Sequence, residues 1–235
     1  TYPDSGNNIT LDTAPPSVQN LVINSGSAYS NGNSVSVTFD IEDGANGSGD
    51  MEYRLTVNGT PGSWTTSGLS GTGTSEDVST SVATLSNGDY TIAVDARDAL
   101  LNATGSSVFG SVTRDAAPPS IDTFTLNGSD PSGGMIYMNT DPVSIVLNIS
   151  DTGGSDLYQF EISDEEGVFD GSWQAVDDGS ETGSLDLSAD GEHKILVRVR
   201  DNALNITTYP DSGNNITLDT APPSVQNLVI NGGAA

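Results

Sequence analysis

SVSVTFDIED, residues 34–43, decides how this chain folds. Val35, Val37, Phe39 and Ile41 alternate with Ser36, Thr38 and Asp40. A period of two puts every apolar side chain on one face of an extended strand. PVSIVLNISD (142–151) repeats the pattern with Val143, Ile145, Leu147 and Ile149. In YTIAVDARD (90–98), Tyr90, Ile92, Val94 and Ala96 point one way while Thr91, Asp95 and Arg97 point the other. Clusters of Gly, Asn, Asp and Ser separate such runs, and no stretch carries a convincing helical period. This regular alternation argues against the disorder that so acidic a composition would otherwise imply.

Outward from these strands the chain repeats itself. TYPDSGNNITLDTAPPSVQNLVIN (1–24) returns unchanged as residues 208–231. Inside that period of 207 residues, DTAPPSVQNLVIN (12–24) resembles DAAPPSIDTFTLN (115–127), and the interval of 103 residues is followed by one of 104 to the third copy at 219–231. GSW at 62–64 answers GSW at 171–173, and NGDYTIAVDARDALLNAT (87–104) answers DGEHKILVRVRDNALNIT (190–207). A unit of about 100 residues is too long for a solenoid repeat and the right size for an independently folding domain. Short strands at this density in such a length predict an all-β chain of two tandem immunoglobulin-like β-sandwiches joined by a short Pro-Pro linker. The expected divisions are 1–11, the last strand of a preceding repeat; 12–114 and 115–218, the two sandwiches; and 219–235, the linker and first strand of a following repeat. The chain is then expected to be one period of a longer array.

The order of these elements resembles the bacterial immunoglobulin-like domains found in tandem in large cell-surface adhesins. A leading D-[TA]-A-P-P-S linker, a mid-domain stretch ending in G-S-W, and a late [ND]-G-[DE]-[HY] strand running into R-D-x-[AL]-L-N carry the resemblance across the whole chain. It implies an extracellular, cell-surface location and a structural rather than enzymatic role. In such domains the late element is D-x-A-G-N; here Leu101 and Leu204 stand where the glycine would be.

Charge narrows the partners. Six Lys and Arg face thirty-two Asp and Glu, giving a net charge of −26. A polyphosphate or an anionic membrane surface would be repelled, so neither nucleic acid nor an anionic membrane is the expected partner. No apolar run approaches the roughly 20 residues of a membrane span. There is no Cys, hence no disulfide and no thiolate metal site. Any export signal is expected upstream of residue 1.

Divalent cations are the natural counterions, and the topology says where. In an immunoglobulin-type sandwich the N-terminal linker, the BC loop and the FG loop share one end of the domain. In the first repeat that end gathers Asp12, Asp43, Asp50, Asp98 and Asn102; in the second, Asp115, Asp151, Asp156, Asp201 and Asn205. Several oxygens converging on one place suit the 6–8 coordination of Ca²⁺. The resemblance to adhesin arrays, which bind calcium at such junctions, points the same way. Turn-forming Asp and Asn facing solvent are the alternative reading.

Other residues point to structure. His193, the sole histidine, occupies the repeat position of Tyr90, where a corner residue packs and hydrogen-bonds in these sandwiches. One His and no Cys preclude a His-based triad in both repeats. Lys194 is the only lysine, so at most one Lys–Asn isopeptide could form. Trp64 and Trp173 share a phase that suggests common packing, with stacking on a sugar as the alternative. Pro15–Pro16 and Pro118–Pro119 favour a semi-rigid connector. Eight N-x-[ST] sequons, at Asn8, Asn46, Asn58, Asn102, Asn127, Asn148, Asn205 and Asn215, are candidate glycosylation acceptors; abundant turn Asn is the favoured explanation of them.

The expectation is a structural extender of an extracellular tandem immunoglobulin-like surface protein, stiffened by calcium at interdomain junctions, with neighbouring identical repeats as its partners. Two alternatives remain: a filament subunit joined end to end by strand complementation, and a glycan-binding module.

Overall fold

A computed structural model describes residues 11–45, 47–68, 75–83, 85–105, 108–163, 168–187, 189–209 and 215–228. Two compact units emerge. The first is Thr1–Ala117 together with Thr152–Asp156 and Asn202–Asn205; the second is Pro118–Asp151, Leu157–Asp201 and Ile206–Ala235. The sequons at Asn8 and Asn46 and most of the segment 1–11 lie outside the described residues, as do residues 229–235 of the last segment.

The first unit holds β1 (Ser17–Ile23), β2 (Tyr29–Ser30), β3 (Ser34–Glu42), β4 (Glu52–Val57), β5 (Thr60–Pro61), β6 (Thr65–Thr66), β7 (Glu76–Ala83), β8 (Gly88–Arg97) and β9 (Val108–Arg114). Three strands form one sheet in the order β1-β3-β7, and the other runs β2-β9-β8-β4-β5, with β6 beside β4. The alternation of β3 does its work here: Val35, Val37, Phe39 and Ile41 are each no more than 2% exposed. From the facing sheet come Ile92, Val94, Ala96 and Val112. Phe39 meets Tyr53 edge to face with ring centroids 5.3 Å apart. Each such large side chain, fully buried, contributes about 2–3 kcal/mol of transfer free energy.

The second unit holds β10 (Ser120–Leu126), β11 (Ile136–Met138), β12 (Val143–Ser150), β13 (Leu157–Ser163), β14 (Gln174–Ala175), β15 (Ser180–Leu185), β16 (Gly191–Lys194), β17 (Leu196–Asp201), β18 (Ile206–Tyr209) and β19 (Asn215–Leu218). One face is β10-β12-β15. The other is divided: β14-β13-β17-β18 and β11-β19-β16. The run that is a single strand in the first unit is interrupted here at Ile195, itself fully buried. Val143, Ile145, Leu147 and Ile149 pack against Phe160, Val197 and Val199. The chain is therefore all-β, with two sandwich-type cores.

Both corner residues take the place the repeat gives them. Tyr90 Oη donates to Ser86 O at 2.9 Å, and His193 Nε2 lies 2.8 Å from Ala189 O. Each ties the start of its strand to the carbonyl four residues back. Among the described residues, no helix is long and apolar enough to cross a membrane.

Candidate metal centre

The first unit brings Asp12, Asp43 and Asp98 together. One carboxylate oxygen from each lies within 4.8 Å of the others. Asp12 belongs to the segment before β1, Asp43 follows β3, and Asp98 follows β8, so an alternating strand delivers each loop residue to the same end. All three are buried, to 9%, 1% and 1% exposure.

Hydrogen bonds satisfy part of this group. Asp43 accepts from Gly44 N at 3.1 Å and Ser48 N at 3.0 Å. Asp98 accepts from Asn102 N at 2.9 Å and Asn102 Nδ2 at 2.7 Å. Asp12 Oδ1 accepts from Ala14 N at 3.1 Å. Asp12 Oδ2 and Ser48 Oγ, both buried, have no hydrogen-bond partner among the described residues. A buried carboxylate oxygen with no donor is costly unless a cation satisfies it.

The electrostatics follow the geometry. Burial, reinforced by the negative charges of Asp12 and Asp98, pushes the Asp43 carboxyl above its ordinary range against the pull of the Ser48 and Gly44 amides. Burial presses Asp98 upward too, but the side-chain and backbone donors of Asn102 outweigh it and hold Asp98 below the ordinary range. Gly47 is part of the construction: a Cβ there would fall 2.5 Å from the Asp43 carboxylate.

The other expected residues divide. Asn102 serves as a donor, holding Asp98 and, through Nδ2, the Asp12 carbonyl at 3.3 Å. Asp50 is exposed and stands outside the group of three. Asp115, also in the first unit and fully buried, repeats the arrangement of Asp12: Oδ1 accepts from Ala117 N at 2.9 Å, and its carbonyl accepts from Asn205 Nδ2 at 3.0 Å. Its Oδ2 accepts from Ser155 N at 3.1 Å and Ser155 Oγ at 2.6 Å, and Gly153 packs so closely that a Cβ would strike the carboxylate. In the second unit Asp151 follows β12 and the fully buried Asp201 closes β17 opposite Leu157. Asp156 is exposed, with φ of 58°.

Sequence reasoning did not single out Ser48, Ser155, Gly47 and Gly153. Their signal was faint: a Gly and a Ser a few residues after a strand-ending Asp in both repeats, indistinguishable from turn composition.

Leu101 and Leu204 take φ of 66° and 68°. The left-handed conformation that glycine would favour is thus kept by leucine in both loops.

The two tryptophans are half-buried and stacked on arginines. Trp64 lies between Arg54 and Arg97, with guanidinium carbons 4.7 and 4.3 Å from its ring; Trp173 has Arg198 and Arg200 at 4.5 and 4.1 Å. Beneath each indole runs a cross-strand ion pair whose polarity is inverted between the units: Arg54 on β4 with Asp95 on β8, and Glu161 on β13 with Arg198 on β17. The GSW signature thus marks where a loop is pinned to the outer face of a sheet.

No protein-family model matches the chain, and no curated protein matches it. Among solved structures it is similar to the fibronectin(III)-like modules of CbhA from Clostridium thermocellum, at 13% identity over 89% of this chain and 100% of that one, with a TM-score of 0.46. A tetra-tandem repeat in the extending region of a large adhesion protein is 21% identical over 87% of this chain and 50% of that one, with a TM-score of 0.30. The BSP domain of a biofilm associated protein is 16% identical over 87% of this chain and 30% of that one, with a TM-score of 0.28.

Proposed function

We propose that this chain is a structural extender of an extracellular tandem-repeat surface protein, in which a divalent cation, calcium by its preference for oxygen donors, fixes the linker against the loops of the domain it enters. The observation that carries this reading is the group Asp12, Asp43 and Asp98, with the buried Asp12 Oδ2 lacking a donor among the described residues. Asp12 belongs to the linker, and Asp43 and Asp98 belong to the domain. A cation held by all three would convert mutual repulsion into a tie between connector and sandwich. The role is mechanical: length and stiffness, not turnover. The arginine-stacked indoles favour packing over a sugar platform.

Thermal unfolding in EDTA and in millimolar calcium, with small-angle scattering on the same samples, tests the reading. Calcium is expected to raise the melting temperature and give a stiffer particle; at 100 times the dissociation constant the gain is about 2.7 kcal/mol per site. No change in either quantity would make the aspartates ordinary turn residues and remove the cation from the proposal.

A second reading has one observation in its favour. Val225 and Leu228 are 81% and 74% exposed and outside any strand, whereas Val18, at the repeat position of Val225, is 7% exposed in β1. The same sequence in a second copy could enter the place beside β3 by displacing β1, joining copies by strand complementation. Concentration-dependent mass in light scattering, abolished by Val225→Asp, would favour it.

A further inference from the structure

In both repeats the linker leaving a domain has a partner for each backbone amide it possesses, supplied before the next domain is reached. For residues 115–119 the accounting is complete. Asp115 N donates to Ser30 O at 2.8 Å, Ala116 N to Asn87 Oδ1 at 3.1 Å, and Ala117 N to Asp115 Oδ1 at 2.9 Å; Pro118 and Pro119 have no N–H. For residues 219–223 it is the same. Asp219 N donates to Met138 O at 2.9 Å, Thr220 N to Asp190 Oδ1 at 3.1 Å, and Ala221 N to Asp219 Oδ1 at 3.1 Å, followed by Pro222 and Pro223.

We infer that Asn87 and Asp190 are positioning residues: latches that fix the direction in which the linker leaves each sandwich, without any cation. They hold the same repeat position, each immediately before a glycine at the start of the long strand, Gly88 with φ of 140° and Gly191 with φ of 139°. That backbone is open to glycine and strained for other residues, so the turn presents the preceding side chain to the departing linker in the same way twice. Asn87 Oδ1 also accepts from Arg114 Nη1, while Arg114 Nε donates to Gly32 O at 3.0 Å, which anchors the last residue of β9 at the point of departure. Asp190 Oδ1 gains a second donor instead, Thr220 Oγ1 at 2.9 Å. Both latch residues are exposed, outside either core, so packing does not account for them.

The inference rests on the extender reading for its purpose but not for its test. Amide hydrogen exchange of the full chain in EDTA, resolved by NMR, reads the latch directly. The amides of Ala116 and Thr220 are expected to be protected in the wild type. Asn87→Ala should speed exchange at Ala116 at least tenfold and leave Thr220 unchanged; Asp190→Ala should do the reverse. Asn87→Asp and Asp190→Asn keep an acceptor oxygen and should keep the protection. Small-angle scattering should show a broader distribution of lengths for the double alanine variant at unchanged melting temperature. Wild-type exchange at Ala116 in Asn87→Ala, or protection that appears only when calcium is added, would overturn the latch. If protection persists in EDTA while calcium changes neither melting nor scattering, the latch stands and the cation part of the extender reading falls.

Discussion

Asn102 Nδ2 reaches back ninety residues to donate to the main-chain carbonyl of Asp12 at 3.3 Å, and the same nitrogen donates to Asp98 Oδ2 at 2.7 Å. One amide group therefore joins the linker to the loop that contains the most strongly hydrogen-bonded carboxylate of the site. Asn102→Ala removes the first of these contacts and leaves the buried Asp98 with one donor fewer. The expected loss is about 2 kcal/mol, since a charged buried acceptor is costly to abandon. Urea unfolding in EDTA measures it. An unchanged midpoint would mean the amide is dispensable to the folded state.

Asp43 gives the site a pH dependence whose sign is fixed. Its carboxyl lies above the ordinary range in the cation-free fold, because of burial and the charges of Asp12 and Asp98. The native state therefore binds a proton more readily than the unfolded chain. Lowering the pH from neutral through the folded value gains stability, until the unfolded value near 3.9 is passed. At pH 7 the penalty is present in full. Asp43→Asn removes this titration, so the rise in cation-free stability on lowering the pH from neutral toward 4 should disappear, while the NH2 it introduces faces one of the two backbone N–H groups, Gly44 or Ser48, that Asp43 accepts from. The same variant should lose the response to calcium. Asp98, held low after burial is outweighed by the Asn102 donors, acts oppositely: its contribution is present at neutral pH and is lost only as the pH falls through that depressed value.

How much of this was legible in the sequence differs by kind of residue. Val35, Val37, Phe39 and Ile41 announced a strand and its buried face because alternation is a local property, and they are buried as read. Asp12, Asp43 and Asp98 were legible as a convergence, since three strands of a sandwich must end at one edge. Asp50 and Asp156 sit in the same loops yet are exposed; composition does not say which Asp of a turn points inward. The latch residues Asn87 and Asp190 were visible as part of a repeat, but an Asn or Asp before Gly reads as a turn until its acceptor oxygen is seen on a linker amide. The break at Ile195 was hidden too, because the apolar run around it continues without interruption.

Leu101 and Leu204 are 64% and 54% exposed, so their side chains gain little from burial while their backbones occupy the left-handed region. An L-residue with a Cβ pays roughly 1–2 kcal/mol there, which glycine avoids at the cost of greater freedom in the unfolded chain. Leu101→Gly and Leu204→Gly are each expected to stabilise by roughly 0.5 kcal/mol net, read as a higher urea midpoint at constant slope. A loss of stability would instead show that the leucines make a contact in solution that their exposure here does not suggest.

The two inverted ion pairs should differ in worth from the more exposed pair beside them. Glu161 is 1% exposed and accepts from Arg198 Nε and Nη2 at 2.9 and 2.6 Å and from Gly171 N at 2.7 Å. Glu161→Ala strands the Arg198 guanidinium between Phe169 and Trp173 and frees the amide that holds the GSW loop; about 3 kcal/mol of stability should go with it. Glu52 and Arg97, 28% and 25% exposed at the side chain, remain partly hydrated, and Glu52→Ala should cost no more than about 1 kcal/mol. Trp64 and Trp173 report on one unit each, so Trp64→Phe and Trp173→Phe backgrounds separate the two unfolding transitions by fluorescence. Glu161→Ala is expected to lower the midpoint seen by Trp173 and to leave that seen by Trp64 in place. Equal losses from Glu161→Ala and Glu52→Ala would mean that burial of the carboxylate adds nothing to the pair.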